Sequence, residues 1–288
     1  MKKVFLCFAA CVATMVSAQV LSVVSMERLA VPTPIQNTRV AAISPSGDYL
    51  LLTSFSNQGL TRFDVASSKM SVLSTAQRAG MDAVISEDGN DVLFRESVID
   101  ANHKWRESVI HTHFPTMHHE VVVAPSNHLG QVSRRMMPAR SNRMSEPEVS
   151  INHDLQIVVT INGETRILTP QGKDMSYIWA TLSPDKTKIS YYCSEIGGFV
   201  CDLNGKVIAS IGKKCRAAQW LDNQTLVGHE AYSDGRDYTA AYITACTLKG
   251  QYQRLTDASM KAIHPMVAGN KIAFSNLNGE VYMMTVSK

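Results

Sequence analysis

The densest group of chemically versatile side chains is His111-Thr112-His113 followed by His118-His119. Imidazole nitrogen is a good ligand for zinc, copper or nickel, and His-x-His on a strand puts both rings on one face. Glu120 leads into Val121-Val122-Val123, so the His-Glu-x-x-His pattern of a zinc hydrolase is not formed, and the run also reads as solvent-facing strand and turn histidines. A second group is basic: Arg134, Arg135, Arg140 and Arg143, interleaved with Met136, Met137 and Met144. Forked guanidinium donors suit a carboxylate or phosphate, and methionine suits an adaptable apolar contact. A third is Tyr232-Ser233-Asp234-Gly235-Arg236-Asp237-Tyr238, a turn between aromatic shoulders that offers stacking area, or simply a hairpin tip with ordinary strand tyrosines. The alternating acidic spacing of a calcium loop is absent, as are a Walker glycine loop and a Gly-x-Gly-x-x-Gly fingerprint, and no cofactor is implied.

These groups sit in a chain of short strands. Ala42 to Leu52, Val84 to Phe94 and Thr181 to Tyr191 each read as an apolar run, a turn headed by Ser44-Pro45-Ser46-Gly47, Ser86-Glu87-Asp88-Gly89 or Ser183-Pro184-Asp185-Lys186, and a second apolar run. Weaker copies lie at Asn152, Trp220-Leu221-Asp222-Asn223 and Val267 to Lys271. Pro, Asp, Asn and Gly set the turn dihedrals, and the flanking β-branched and aromatic residues suit paired strands. Further strand-like runs follow each hairpin, which gives roughly four strands per ~40 residues, the size of a propeller blade. The step from Ser86 to Asn152 is longer than a blade needs, and the excess is assigned to an inserted loop over 127–148. The expected fold is all-β, a single six-bladed propeller over 19–288. Gln19 to Leu29 is a β-rich run without a blade of its own, and the last blade has room for only three strands, so ring closure by pairing the two is expected.

The Ser-Pro-Asp-type turn with an apolar strand on each side resembles the WD40-like repeat called PD40. That repeat is found in the propeller of TolB and in the propeller domains of prolyl-oligopeptidase and dipeptidyl-peptidase-IV relatives. The resemblance implies a propeller scaffold. Only about twenty residues separate the leader from the first repeat, too few for the α/β domain that precedes the TolB propeller. No Gly-x-Ser-x-Gly elbow of a hydrolase domain is present. The resemblance therefore carries a scaffold rather than an activity.

Residues 1–18 have the pattern of a secretory signal: Lys2-Lys3, an apolar run from Val4 to Val16, and Val16-Ser17-Ala18 before Gln19. Cleavage after Ala18 and a periplasmic or secreted location are expected; lipidation at Cys11 is the alternative. Removing this segment leaves 26 basic against 25 acidic residues, a net charge of +1, which gives no electrostatic case for nucleic acid. Four cysteines remain, Cys193, Cys201, Cys215 and Cys246. Cys193 and Cys201 flank a Gly197-Gly198 turn symmetrically, which predicts a cross-hairpin disulfide; four reduced, buried thiols are the alternative. The function expected is a non-catalytic, monomeric binding propeller that recognises a protein or peptide partner through Arg134, Arg135, Arg140, Arg143, Tyr232 and Tyr238. The alternative is a metal-dependent, lactonase-like hydrolase with its site in the central channel.

Overall fold

The computed structural model describes residues 19–32, 37–127, 129–138 and 146–288. Strand β1 (Ser22–Arg28) is followed by four strands of a first blade, β2 (Thr38–Ile43), β3 (Tyr49–Ser54), β4 (Leu60–Asp64) and β5 (Met70–Ser74). The second blade holds β6 (Val84–Ile85), β7 (Asp91–Ile99), β8 (Trp105–His113) and β9 (His118–Ser126). The third has β10 (Glu148–Ile151), β11 (Ile157–Ile161) and β12 (Glu164–Leu168). The fourth has β13 (Tyr177–Leu182), β14 (Lys188–Cys193), β15 (Gly197–Asp202) and β16 (Val207–Gly212), and the fifth β17 (Arg216–Trp220), β18 (Thr225–Ser233), β19 (Tyr238–Thr247) and β20 (Tyr252–Arg254). The sixth sheet runs β21 (Ala262–Ala268), β22 (Lys271–Asn276), β23 (Val281–Ser287) and then β1, paired antiparallel to β23 from Ser22↔Ser287 to Arg28↔Tyr282. The molecule is an all-β, six-bladed propeller. No helix among the described residues is long and apolar enough to cross a membrane.

The serine-headed turns repeat one local device. Ser44 Oγ accepts from the Tyr49 amide (3.1 Å) and donates to Asp48 (2.6 Å). Ser86 does the same with Asp91 and Asp88, and Ser183 with Lys188 and Asp185. A hydroxyl that satisfies the backbone while holding a carboxylate fixes a tight first-to-second-strand turn without help from distant residues. These turns emerge on one face of the ring, the turn face. The second-to-third-strand connections emerge on the other, the loop face.

Six buried apolar clusters hold the ring, one at each junction between blades. Leu51, Leu60 and Ala79 of the first blade meet Ile85, Val92 and Phe94 of the second. At the sixth-to-first junction Val40, Leu50 and Phe63 meet Ala273, Val281 and Met283. Sheet faces that are apolar on both sides are buried only by their neighbours, so the ring closes as a unit.

The third blade departs from the expected register. Its Asn152–Gln156 turn, with the Leu155 amide bonding Asn152 O, matches the Ser54–Gln58 loop-face turn of the first blade, where the Asn57 amide bonds Ser54 O. The Tyr177 amide bonds Leu155 O just as the Gly80 amide bonds Asn57 O, linking each such turn to the entry of the next blade. Strand β10 is therefore the second strand of its blade, not the first. The inner place is taken by the irregular segment 129–138, whose Val132 and Met137 are buried against Leu93 and Val109 of the second blade. The Ile151 amide completes the substitution by bonding the Gln131 side chain at 3.1 Å. The stretch 127–148, expected as an inserted loop, thus supplies part of the blade itself.

The expected Cys193–Cys201 disulfide is not formed. Cys193 lies opposite Gly197 and Cys201 opposite Ile189, which separates them by four residues of strand, about 13 Å. A disulfide needs its Cα atoms within about 7 Å. All four cysteines are buried free thiols, and burial pushes Cys201 up to about 12.

Candidate functional site

The inner strands enclose a central channel of about 1160 Å³. Its two ends differ in chemistry because opposite ends of the inner strands present different side chains.

At the loop-face mouth the inner position of four blades carries a non-glycine residue in the left-handed region: Asp82 (φ 56°), Trp179 (φ 54°), Ala217 (φ 47°) and His264 (φ 51°). The last three sit in β-bulges, where the register slips between Ile178 and Thr181, Arg216 and Gln219, and Ile263 and Met266. Such conformations cost about 1–3 kcal/mol each and concentrate at functional sites, where a bulge re-aims a side chain. Here each of the four lines the channel.

The side chains behind them form a continuous arc. The Trp179 ring stands 5.5 Å from Tyr192 and 6.4 Å from His229, and His229 stands 4.9 Å from His264. The Arg216 guanidinium lies 5.6 Å over Tyr192, and Arg39 bonds the Asn57 side chain and Gly80 O. Burial first, then His264 and Arg216, hold His229 down to about 3; burial and then Arg39 hold His264 down to about 4. Both imidazoles are neutral at pH 7. Their depressed values make the unfolded chain the better proton acceptor below about pH 6.5, so stability is fully present above that value and falls as pH drops toward 4. At pH 5.5 the two should together cost about 2–3 kcal/mol, at ~1.4 kcal/mol per unit and histidine. Thermal melts from pH 8 to 4.5 should show a flat region, then a fall that His229→Gln with His264→Gln flattens. An unchanged slope in the double variant would assign the acid sensitivity elsewhere.

The turn-face mouth carries Glu87, Arg134, Arg135, Glu146, Glu148 and Lys186. Arg134 lies 3.5 Å from Glu87, Arg135 pairs with Glu148 at 3.0 Å and bonds Glu146 O and Thr160 O, and Lys186 pairs with Glu146. Arg140 and Arg143 lie outside the described residues. Tyr232 and Tyr238 flank the loop-face end of the β18–β19 hairpin. The arginines and the tyrosines are therefore not brought together: the face that holds the tyrosines is opposite the one that holds Arg134 and Arg135. The reason is the extra inner segment, which carries the chain from the end of β9 down to the turn face before β10 begins.

The histidine run is absorbed by its own sheet. The ring nitrogens of His111 lie 2.9 Å from Asp91 and 2.8 Å from Glu120; His113 lies 2.8 Å from Asp91 and His119 2.7 Å from Thr112 Oγ1. Among the described residues, no group of three or more His, Cys, Asp or Glu side chains is arranged to hold a metal ion. Arg39, Trp179 and His264 at the mouth, and Arg216 and His229 behind them, are not singled out by sequence. A signal existed: Asp82, Trp179 and Ala217 each stand four residues before Ser86, Ser183 and Leu221.

No protein-family model and no curated protein matches the chain. Solved structures do. A putative TolB from Agrobacterium tumefaciens is 16% identical with a TM-score of 0.54, over 88% of this chain and 91% of that one. TolB from Acinetobacter baumannii is 14% identical with a TM-score of 0.51, over 88% of this chain and 55% of that one. Virginiamycin B lyase from Staphylococcus aureus is 12% identical with a TM-score of 0.50, over 91% and 99%. At these identities the likeness is one of fold. The chain has the architecture of a TolB-like six-bladed β-propeller.

Proposed function

We propose that this chain is an exported, non-catalytic propeller that docks a protein or peptide partner of the cell envelope on its loop face. Export rests on the Lys2-Lys3, apolar and Val16-Ser17-Ala18 pattern of the leader. The observation that carries the docking is a pair of overlong hairpins. Strands β7 and β8 pair from Asp91↔His113 out to Ile99↔Trp105, and β18 and β19 from Thr225↔Thr247 to Ser233↔Tyr238. Both overrun the β14–β15 ladder, which ends at Cys193↔Gly197.

The strand ends that lead into their polar turns carry solvated apolar side chains. Ile99 and Trp105 are 56% and 53% exposed, and Tyr232 and Tyr238 are 45% and 42% exposed. The second and fifth blades stand three apart in a ring of six, so the tips face each other across the channel mouth. Large aromatic anchors on rigid hairpins are the side chains that dominate protein interfaces. Capture of a partner from envelope extract should drop about tenfold or more for Ile99→Ala with Trp105→Ala, and again for Tyr232→Ala with Tyr238→Ala. Replacing Arg134, Arg135, Arg140 and Arg143 by alanine should leave capture unchanged. Loss in the arginine variant alone would move the interface to the turn face. A metal-dependent hydrolase in the channel would instead be signalled by stoichiometric metal in the purified protein.

A further inference from the structure

Arg216 and His229 face each other across β17 and β18. Both carry a buried nitrogen with no hydrogen-bond partner, Arg216 Nε and His229 Nδ1. Among the described residues, no carboxylate forms an ion pair with Arg216, whose neighbour is the Tyr192 ring. Orphaned buried donors and an uncompensated guanidinium are costly, and native proteins keep them where a ligand completes the set. On the other side of the histidine pair stands Arg39, also desolvated, which bonds Asn57 and Gly80 O and feels Asp82 at longer range. Asp82 itself is engaged by Arg95 at 3.0 Å. The His229–His264 pair thus has Arg216 cross-strand from His229 and Arg39 on the same channel wall as His264, and burial first, with these charges adding to it, holds both imidazoles down.

We propose that the loop-face mouth of the channel is a carboxylate-binding site, with the anion held over His229 and His264 between Arg216 and Arg39 and the ligand's apolar part against Trp179. Charge-assisted hydrogen bonds from a fork on either side suit a planar carboxylate. The left-handed backbone at Trp179 and His264 is the device that aims both side chains at that point. This site is independent of the hairpin docking, because Arg39, Trp179 and His264 line the channel, Arg216 and His229 stand behind them, and none of the five is at a hairpin tip. The same chemistry is met by a small aromatic acid or by the free carboxyl end of a peptide, and the experiment separates them.

Calorimetric titrations would use the mature protein with sodium benzoate, benzamide, and a short phenylalanine-terminated peptide as free acid and as amide. Benzoate or the free-acid peptide should bind, with the neutral counterparts at least about tenfold weaker. Arg216→Gln should weaken binding about tenfold or more, and Arg134→Ala should not. Benzoate binding without the peptide assigns a small acid; peptide binding without benzoate assigns a chain end. In the folded Arg216→Gln protein, checked by thermal melt, the histidine C2–H resonances should no longer move on addition of the acid. Equal binding of benzoate and benzamide, no binding of either acid, or an unaffected Arg216→Gln variant would each overturn the site.

Discussion

Removing residues 19–30 should lower the thermal midpoint by more than about 10 °C, or leave a chain that no longer melts cooperatively. Those residues are the outer strand of the sixth blade, hydrogen-bonded along β23 from Ser22 to Arg28. Each end of the strand is also anchored in a different junction cluster. Leu21 packs with Val227, Ile243, Ile272 and Met284 between the fifth and sixth blades, and Leu29 with Val40 and Leu50 between the sixth and first. The Gln253 side chain clamps the entry, accepting from the Val20 and Leu21 amides at 2.7 and 2.9 Å and donating to Leu21 O at 2.9 Å. Deletion would expose β23 as an edge and open a cavity at both leucines. Because a deletion can fail for trivial reasons, Leu21→Ala and Leu29→Ala supply the finer test: each should cost about 2–5 kcal/mol. A deletion variant with an unchanged melt would show that the ring is held without β1.

How much of this was legible follows from how local each feature is. The turns at Ser44, Ser86 and Ser183 are fixed by hydroxyl–carboxylate–amide contacts within five residues, so their sequence carries them whole. The same locality misled at Asn152. Its side chain accepts from the Gln156 amide at 2.8 Å, a cap that a loop-face turn uses as readily as a turn-face one, and nothing within five residues says which face it is on. What decides is the Tyr177–Leu155 bond and the burial of Val132, both long-range. Tyr232 and Tyr238 stand out because a turn lies between them, whereas Trp179, His264 and Arg39 meet the cross-strand pair Arg216–His229 only after the blades pack. The cysteine pairing failed for a related reason: symmetry about Gly197 suggested a register, but the ladder is centred between Cys193 and Gly197.

Replacing Arg95 by methionine should cost about 3–5 kcal/mol, a fall in the thermal midpoint on the order of 10 °C for a domain of this size. Arg95 is 2% exposed, and its guanidinium binds Glu107 at 2.9 Å, Asp82 at 3.0 Å and Gly130 O at 2.9 Å. Glu107 is further held by Ser97 at 3.1 Å and by Arg78. Burial already pushes the Asp82 carboxyl up, with Arg95 the main opposing influence. Without Arg95 the buried Glu107 keeps only Arg78 as a charged partner and the partly buried Asp82 keeps Arg78 and Arg39 at longer range, and the cost is that of under-compensated charge rather than of lost packing, since methionine keeps most of the volume. The bond to Gly130 O adds a positional consequence: it tacks the irregular segment 129–138 onto the second blade, so its loss should free that segment. Amide exchange at Val132 and Met137 should therefore quicken in Arg95→Met more than exchange in β18 or β22. Adding Glu107→Leu removes one stranded charge and should recover part of the loss, as expected when a buried ion pair is replaced by apolar groups rather than broken. If Arg95→Met melts within about 1 kcal/mol of the parent, or if Glu107→Leu makes it worse, the buried network is not what fixes the third blade to the second.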